Sequence, residues 1–207
     1  MLKTFRISHS VIVLIKQGIV YAMNNDEVIE IYKQHLLWLF DVKDGAQAEF
    51  INQTIKGIDF SDTCFCGAIF ENCTFIDCDF FNTFMNGSNF RSAKFVGCNF
   101  YESDFTGSDF LNAEFEHCNI ESSKFQYSSF YHSHFDKSNC EIESCDFSYC
   151  CIDDCNITNM PNENTNISNC CLDFSQFAIR VSNVKYSENI LPQIYLFHYL
   201  KGCVYDE

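Results

Sequence analysis

Three groups of residues in this chain have the types and spacing to do chemistry. Cys78, Cys98 and Cys118 recur every twenty residues and Cys140 follows twenty-two later. A run of thiols suggests a metal centre, but a tetrahedral zinc site needs four sulfurs converging on one point. If these thiols stack, each is a strand spacing from the next, so cysteine is expected here as a small apolar filler and no metal is expected. His134 stands twenty residues after Glu114, with His117 and His132 nearby, a pairing with the ingredients of a proton relay. Catalysis would also need a third group and a pocket. No glycine-rich phosphate loop, HExxH helix or serine elbow occurs. The sequence therefore predicts a protein that is not an enzyme, with no catalytic residues and no cofactor.

The third group is acidic. The 207 residues hold 28 Asp and Glu against 13 Lys and Arg, a net charge of −15. Phosphate binding needs basic surface, so direct nucleic-acid binding is excluded. The excess is concentrated: residues 48–179 hold 20 acids and five bases, while the flanks hold eight of each and cancel. Sorted by a twenty-residue period, one side of the molecule collects Asp59, Asp62, Asp79, Glu102, Glu121, Glu141, Glu143 and Glu163, with no Lys or Arg. The next side holds only Asp104 and Asp146, with Lys124. The first group is the candidate partner-binding face.

What must position these side chains is an internal repeat. From Phe50 to Phe177 a large residue recurs every five positions, a period belonging to neither a helix nor a flat strand. With a two-residue interruption near Asp136 to Asn139, 25 of the 26 centres are apolar; Asn162 is the exception. The residue two before each centre is Ala, Ser, Thr or Cys in 23 of 26 cases. One large and one small residue per unit thus face inward, and the polar residues between them face water. Cys78/Cys98/Cys118 and Gly67/Gly87/Gly107 repeat at twenty, so four units should make one coil of a square solenoid. Asn162 follows Met160 and Pro161, and proline withholds a ladder donor, so a local bulge is expected there.

The pattern resembles the pentapeptide-repeat proteins, in motifs such as Ala93-Lys94-Phe95-Val96-Gly97 and Ser108-Asp109-Phe110-Leu111-Asn112. The resemblance covers residues 48 to 179 and implies an all-β solenoid, a right-handed quadrilateral parallel β-helix. It also implies a class of partner. Some members, the quinolone-resistance group and its mycobacterial relatives, look like B-form DNA in shape and charge and bind DNA gyrase. The projecting loops of that group are missing here. About 6.5 coils at ~4.8 Å give a rod of ~31 Å, so fifteen excess charges fall at one per ~2 Å, close to the one per ~1.7 Å of duplex DNA.

A solenoid has open sheet edges that invite further strands and must be covered. Residues 1–22 have a basic start and an apolar stretch broken at Lys16 and Gln17, which makes a poor export signal and is too short to span a membrane. Residues 23–45 are expected as a capping helix, with Asn25 or Asp26 as N-cap and Val28, Tyr32, His35, Leu36 and Leu39 on one face. Residues 48–179 are the solenoid. Residues 180–207 form a C-terminal cap or a homodimer contact, through a short helix from Pro192 within 190–200. The expected protein is cytoplasmic with free thiols. It binds a protein partner bearing a basic groove, or alternatively acts as a DNA-mimicking modulator of gyrase.

Overall fold

The computed structural model describes residues 22–135, 140, 142, 144–151, 156–157, 165, 176–177, 185–186 and 204–205. Its organising feature is a register of twenty. Strands β1 (Ala22–Met23), β2 (Thr54–Lys56), β3 (Thr74–Ile76), β4 (Lys94–Val96), β5 (Glu114–Glu116), β6 (His134–Phe135), β7 (Asn156–Ile157) and β8 (Gln176–Phe177) follow one another in a single parallel sheet. From β2 to β6 each residue pairs with the one twenty later, as in Ile55 to Phe75 to Phe95 to Phe115 to Phe135. Three further ladders run beside it through Glu49, Ile69, Asn89 and Asp109; Asp59, Asp79, Asn99 and Asn119; and Cys64, Phe84, Asp104 and Lys124. Four ladders in twenty residues make a four-sided coil.

Each side is one pentapeptide, and the corners follow from its residues. The N–H of the small residue donates to the carbonyl of the preceding centre, as from Ala68 to Phe65 (2.9 Å) and Ser88 to Met85 (3.1 Å). The residue before it takes positive φ, as at Gly67 (73°) and Gly87 (67°). Non-glycine residues also hold that position, among them Asn52, Asp62, Asn82 and Asn112, in keeping with the tolerance of Asn and Asp for left-handed backbone.

Every centre from Phe50 to Phe135 is buried. The rings stack in columns: Phe50, Phe70, Phe90, Phe110 and Phe130 lie 4.9, 4.9, 5.1 and 4.8 Å apart between centroids and nearly parallel. The spacing is that of the strands, so each centre sits on its counterpart one coil away, and each such pair adds ~0.5–1.5 kcal/mol beyond area burial. The interruption near Asp136 to Asn139 is absorbed by a change of register. Below it partners differ by 20; across it Lys124 pairs with Asp146 and His134 with Asn156, a difference of 22; β7 to β8 returns to 20.

The first coil has no coil beneath it, and helix α1 (Asn25–Leu39) supplies what is missing. Asn24 is its N-cap, one residue before the expected position. Its side chain accepts the Glu27 N–H (3.1 Å), and Glu27 accepts the Asn24 N–H (3.0 Å). Val28, Ile31 and His35 are buried and Tyr32 packs against the core, whereas Leu36 and Leu39 are only half-buried. His35 Nδ1 accepts the Ala48 N–H (3.1 Å) and the Tyr32 hydroxyl accepts the Cys64 N–H (3.3 Å), two amides that would otherwise lack a coil below. Strand β1 pairs with β2 and closes the same edge along another side. Trp38 lies over Gly67, and Gly45 brings the exit loop so close that a Cβ there would sit 2.3 Å from the Trp38 nitrogen. Strands β9 (Lys185–Tyr186) and β10 (Val204–Tyr205) pair with each other in parallel. Met160 to Asn162 and residues 190–200, where a bulge and a second cap are expected, lie outside the described residues.

Two outcomes test this packing. Phe100→Ala, at a fully buried centre, should cost ~3–5 kcal/mol, while Tyr101→Ala, on the outward side, should hardly move the denaturation midpoint; equal losses would contradict the inward assignment. His35 must be unprotonated at Nδ1 to accept from Ala48. Burial holds its pKa below the ordinary 6.5, partly offset by the backbone of Cys66 and Phe65, while Nε2 finds no partner. Because the folded value is depressed, the stabilisation is fully present above the unfolded-state value and is lost as pH falls below it. Melting temperature should therefore drop between about pH 7.5 and about pH 5 more steeply in the wild type than in His35→Gln, and identical profiles would contradict the capping role.

Candidate functional site

The acidic side is built from pentapeptides centred on Phe60, Phe80, Phe100 and Ile120. In each, the residues one before, one after and two after the centre face out. The residue before the centre forms the ladder Asp59, Asp79, Asn99, Asn119. Its side chain folds back to accept the N–H two residues on: Asp59 from Ser61 (2.8 Å), Asp79 from Phe81 (2.9 Å), Asn99 from Tyr101 (3.2 Å) and Asn119 from Glu121 (3.0 Å). Neighbouring coils are stitched by the same groups, Asn99 donating to Asp79 (2.9 Å) and Asn119 to Asn99 (3.2 Å). The Ser61 hydroxyl, then its N–H, holds the Asp59 carboxyl below its usual value against a smaller opposing effect of burial. Asp59 and Asp79 thus fix turns as well as contributing charge.

The other acids are placed differently. Asp62 and Glu102 occupy the positive-φ corner, at 58° and 60°, and both are exposed; Asp62 accepts from Asn82 (2.8 Å). Glu121 follows its centre in the row Ser61, Phe81, Tyr101, Glu121, in which the Phe81 and Tyr101 rings lie 6.0 Å apart and nearly parallel. Glu102, and to a lesser degree Glu121, raise the pKa of the Tyr101 hydroxyl. The structure therefore brings Asp59, Asp62, Asp79, Glu102 and Glu121 onto one flat side with a half-buried aromatic pair, and no Lys or Arg stands on that side among the described residues. Glu141, Glu143 and Glu163 lie outside the described residues. On other sides bases meet acids: Arg91 with Asp109 (2.6 Å), and Lys94 with Glu116 (2.6 Å) and Glu114 (3.3 Å).

His134 pairs in register with Glu114 on β6 and β5, an outward ladder pair. The ten described cysteines are thiols and not disulfides. Those at the small position do more than fill space: Cys78, Cys98, Cys118 and Cys140 donate to the carbonyls of Ile55, Phe75, Phe95 and Phe115 one coil earlier (3.4, 3.7, 3.6 and 3.4 Å). Ser88, Ser108 and Ser128 do the same to Phe65, Met85 and Phe105 (2.9, 2.8 and 2.9 Å). Size alone does not reveal this role, although the preponderance of Cys, Ser and Thr over Ala, fifteen to three, at the small positions from Thr63 to Cys150 is its trace. Burial pushes the Cys73 thiol up to about 12 and that of Cys118 well up, which keeps them neutral donors. The side next to the acidic one, by contrast, exposes Phe84, Tyr127 and Tyr149.

Four parallel ladders around a phenylalanine interior define a quadrilateral β-solenoid, a class that presents flat outer faces. Residues 48–125 match the family model described as a pentapeptide repeat region, the stretch over which the four ladders run. Among solved structures it is similar to a pentapeptide repeat protein from the cyanobacterium Cyanothece 51142, at 13% identity over 45% of this chain and 63% of that one, with a TM-score of 0.43. It is also similar to HetL, involved in heterocyst differentiation regulation in Nostoc sp. strain PCC 7120, at 12% identity over 80% and 72% (TM-score 0.41). A third is the plasmid-mediated fluoroquinolone resistance protein QnrB1, at 18% identity over 77% and 84% (TM-score 0.36). The chain spans less than two thirds of the length of the Cyanothece protein. No curated protein matches it in sequence. Among the described residues no helix is long and apolar enough to cross a membrane.

The two kinds of acid should separate on mutation. Asp79→Ala removes an acceptor shared by a turn N–H and Asn99, and should cost on the order of 1 kcal/mol, whereas Glu102→Ala should leave stability unchanged. Glu102→Gln should instead lower the Tyr101 titration midpoint, followed by tyrosinate absorbance. Loss of stability at Glu102 equal to that at Asp79 would contradict the assignment.

Proposed function

We propose that this protein is a non-enzymatic interaction scaffold of the cytoplasm that presents its acidic side to a protein partner with a basic groove. The observation that carries the reading is the separation of duties on that side. Asp59 and Asp79 are used by turns and ladders, while Glu102 and Glu121, with Asp62 beside them, hold charge outward on a rigid support. No base on that side neutralises them among the described residues, although Arg91 and Lys94 on other sides are paired with acids. A face serving solubility alone would tolerate such pairing on every side. Thiols rather than disulfides fit a reducing compartment.

A DNA-mimicking modulator of gyrase is the second reading, favoured by the linear charge density of one per ~2 Å. Binding should weaken with salt in either case. Reversing Glu102 and Glu121 to Lys should abolish partner binding and leave the fold intact, with Asp79 kept because it supports a turn. Reversal of Glu71, an exposed acid one residue after its centre on another side, the place that Glu121 holds on this one, is the matched control. Equal effects of both changes would leave no role for the acidic side. Inhibition or protection of purified gyrase in a low-salt supercoiling assay, lost with Glu102 and Glu121, selects the second reading, and no effect on gyrase rejects it.

A further inference from the structure

Most described cysteines point inward, but Cys64 and Cys66 flank the buried Phe65 and therefore both face out on the side next to the acidic one. Their sulfurs lie 3.4 Å apart, half-buried, under the edge where α1 docks. The Cys66 sulfur is also 3.4 Å from Asn86 Oδ1. That oxygen is held in place because Asn86 Nδ2 donates to Asp104 Oδ1 (2.8 Å), which in turn accepts from the Thr106 N–H (3.0 Å) and hydroxyl (2.6 Å). A soft donor pair with an oriented oxygen beside it has the form of a ligand set with its supporting shell.

We propose that Cys64 and Cys66 form a chelating dithiol site for a soft, low-coordinate cation of the copper(I) class. The backbone decides between this and a disulfide. The stretch is pinned to the next coil by Phe65 N–H to Phe84 O (2.8 Å), Phe84 N–H to Thr63 O (2.9 Å) and Gly67 N–H to Asn86 O (2.8 Å). Alternate residues of an extended stretch stand about 6.6 Å apart, at the wide end of the ~4.4–6.8 Å between Cα atoms that a disulfide spans, so the pinned backbone disfavours a bridge. A low-coordinate metal bridges a wider gap: two thiolates at ~2.3 Å and an angle of about 120° have sulfurs about 4.0 Å apart, within reach of rotation of the two side chains from 3.4 Å. Zinc would demand four strong ligands, and no group of three or more His, Cys, Asp and Glu fit for a metal occurs among the described residues. Soft thiolates select copper(I). On binding, each S–H bond gives its proton to water as the sulfur–metal bond forms, and no electrons are transferred. Burial, then the neighbouring Cys64 thiol, pushes Cys66 up to about 11, and a neutral thiol resists oxidation while a soft cation displaces its proton.

The test uses the full-length, fully reduced protein under anaerobic conditions, titrated with copper(I) against a chromogenic copper(I) chelator. Wild type should retain one equivalent more than Cys64→Ser/Cys66→Ser, and Cys151→Ser should match wild type. A second measurement needs no variant: one equivalent of copper(I) should protect the peptide carrying Cys64 and Cys66 from alkylation, read by mass spectrometry, before any other cysteine. Equal stoichiometry in wild type and double variant, first protection at another cysteine, or a Cys64–Cys66 disulfide formed in place of a metal complex would each overturn the site.

Discussion

The backbone amides of each centre, of the residue before it and of the residue two after it find their partners in the coil above or below, and that demand fixes the rest of the structure. In an ordinary sheet a strand can slip by a residue and recover its hydrogen bonds elsewhere. Here a slip of one would turn each phenylalanine outward on all four sides at once. The stacked rings and the ladders therefore enforce each other: centroid spacings near 4.9 Å exist because the strands sit that far apart, and the rings leave no space for another register. Where two extra residues enter near Asp136 to Asn139, the chain keeps its ladders by pairing at 22 across that point and returns to 20 beyond it.

An interior so committed leaves function to the outside, and the outside is itself divided. The residue before each centre is drawn into turns and side-chain ladders, so that acids there, Asp59 and Asp79, behave as Asn99 and Asn119 do. Corner residues and those just after the centre carry fewer duties. Glu102 and Glu121 stand there, beside the half-buried Phe81 and Tyr101 pair. The ends of the rod obey the same accounting. The first coil's amides at Ala48 and Cys64 are satisfied by His35 and Tyr32 from α1, side-chain acceptors standing in for an absent strand.

The interior was legible in the sequence because a five-residue period with one large and one small residue has few other physical solutions, and the twenty-residue recurrence of Cys78, Cys98 and Cys118 counts the sides. The helix was legible too, but its start was not: Asn24, Asn25 and Asp26 are all competent caps, and the choice of Asn24 depends on Glu27 reaching back to it. Ile31 was missed, and Leu36 and Leu39 overvalued, because burial here is set by contact with a square coil end rather than by helical amphipathicity. The repeat period places the acids on one side, but only geometry separates Asp79, which holds a turn, from Glu102, which meets only the Tyr101 hydroxyl. Likewise the sequence marks Cys118 as small, and the fold makes it a donor to the Phe95 carbonyl.

The central claim is that the acidic side is a rigid, preformed surface carried by the ladder. Hydrogen–deuterium exchange along the free chain tests it most directly. A rigid face predicts that cross-coil amides on the acidic side, such as those of Phe80 and Phe100, exchange as slowly as Phe90 and Phe110 on another side, as one block. Early, independent exchange of residues 78–82 and 98–102 while the other sides stay protected would contradict it.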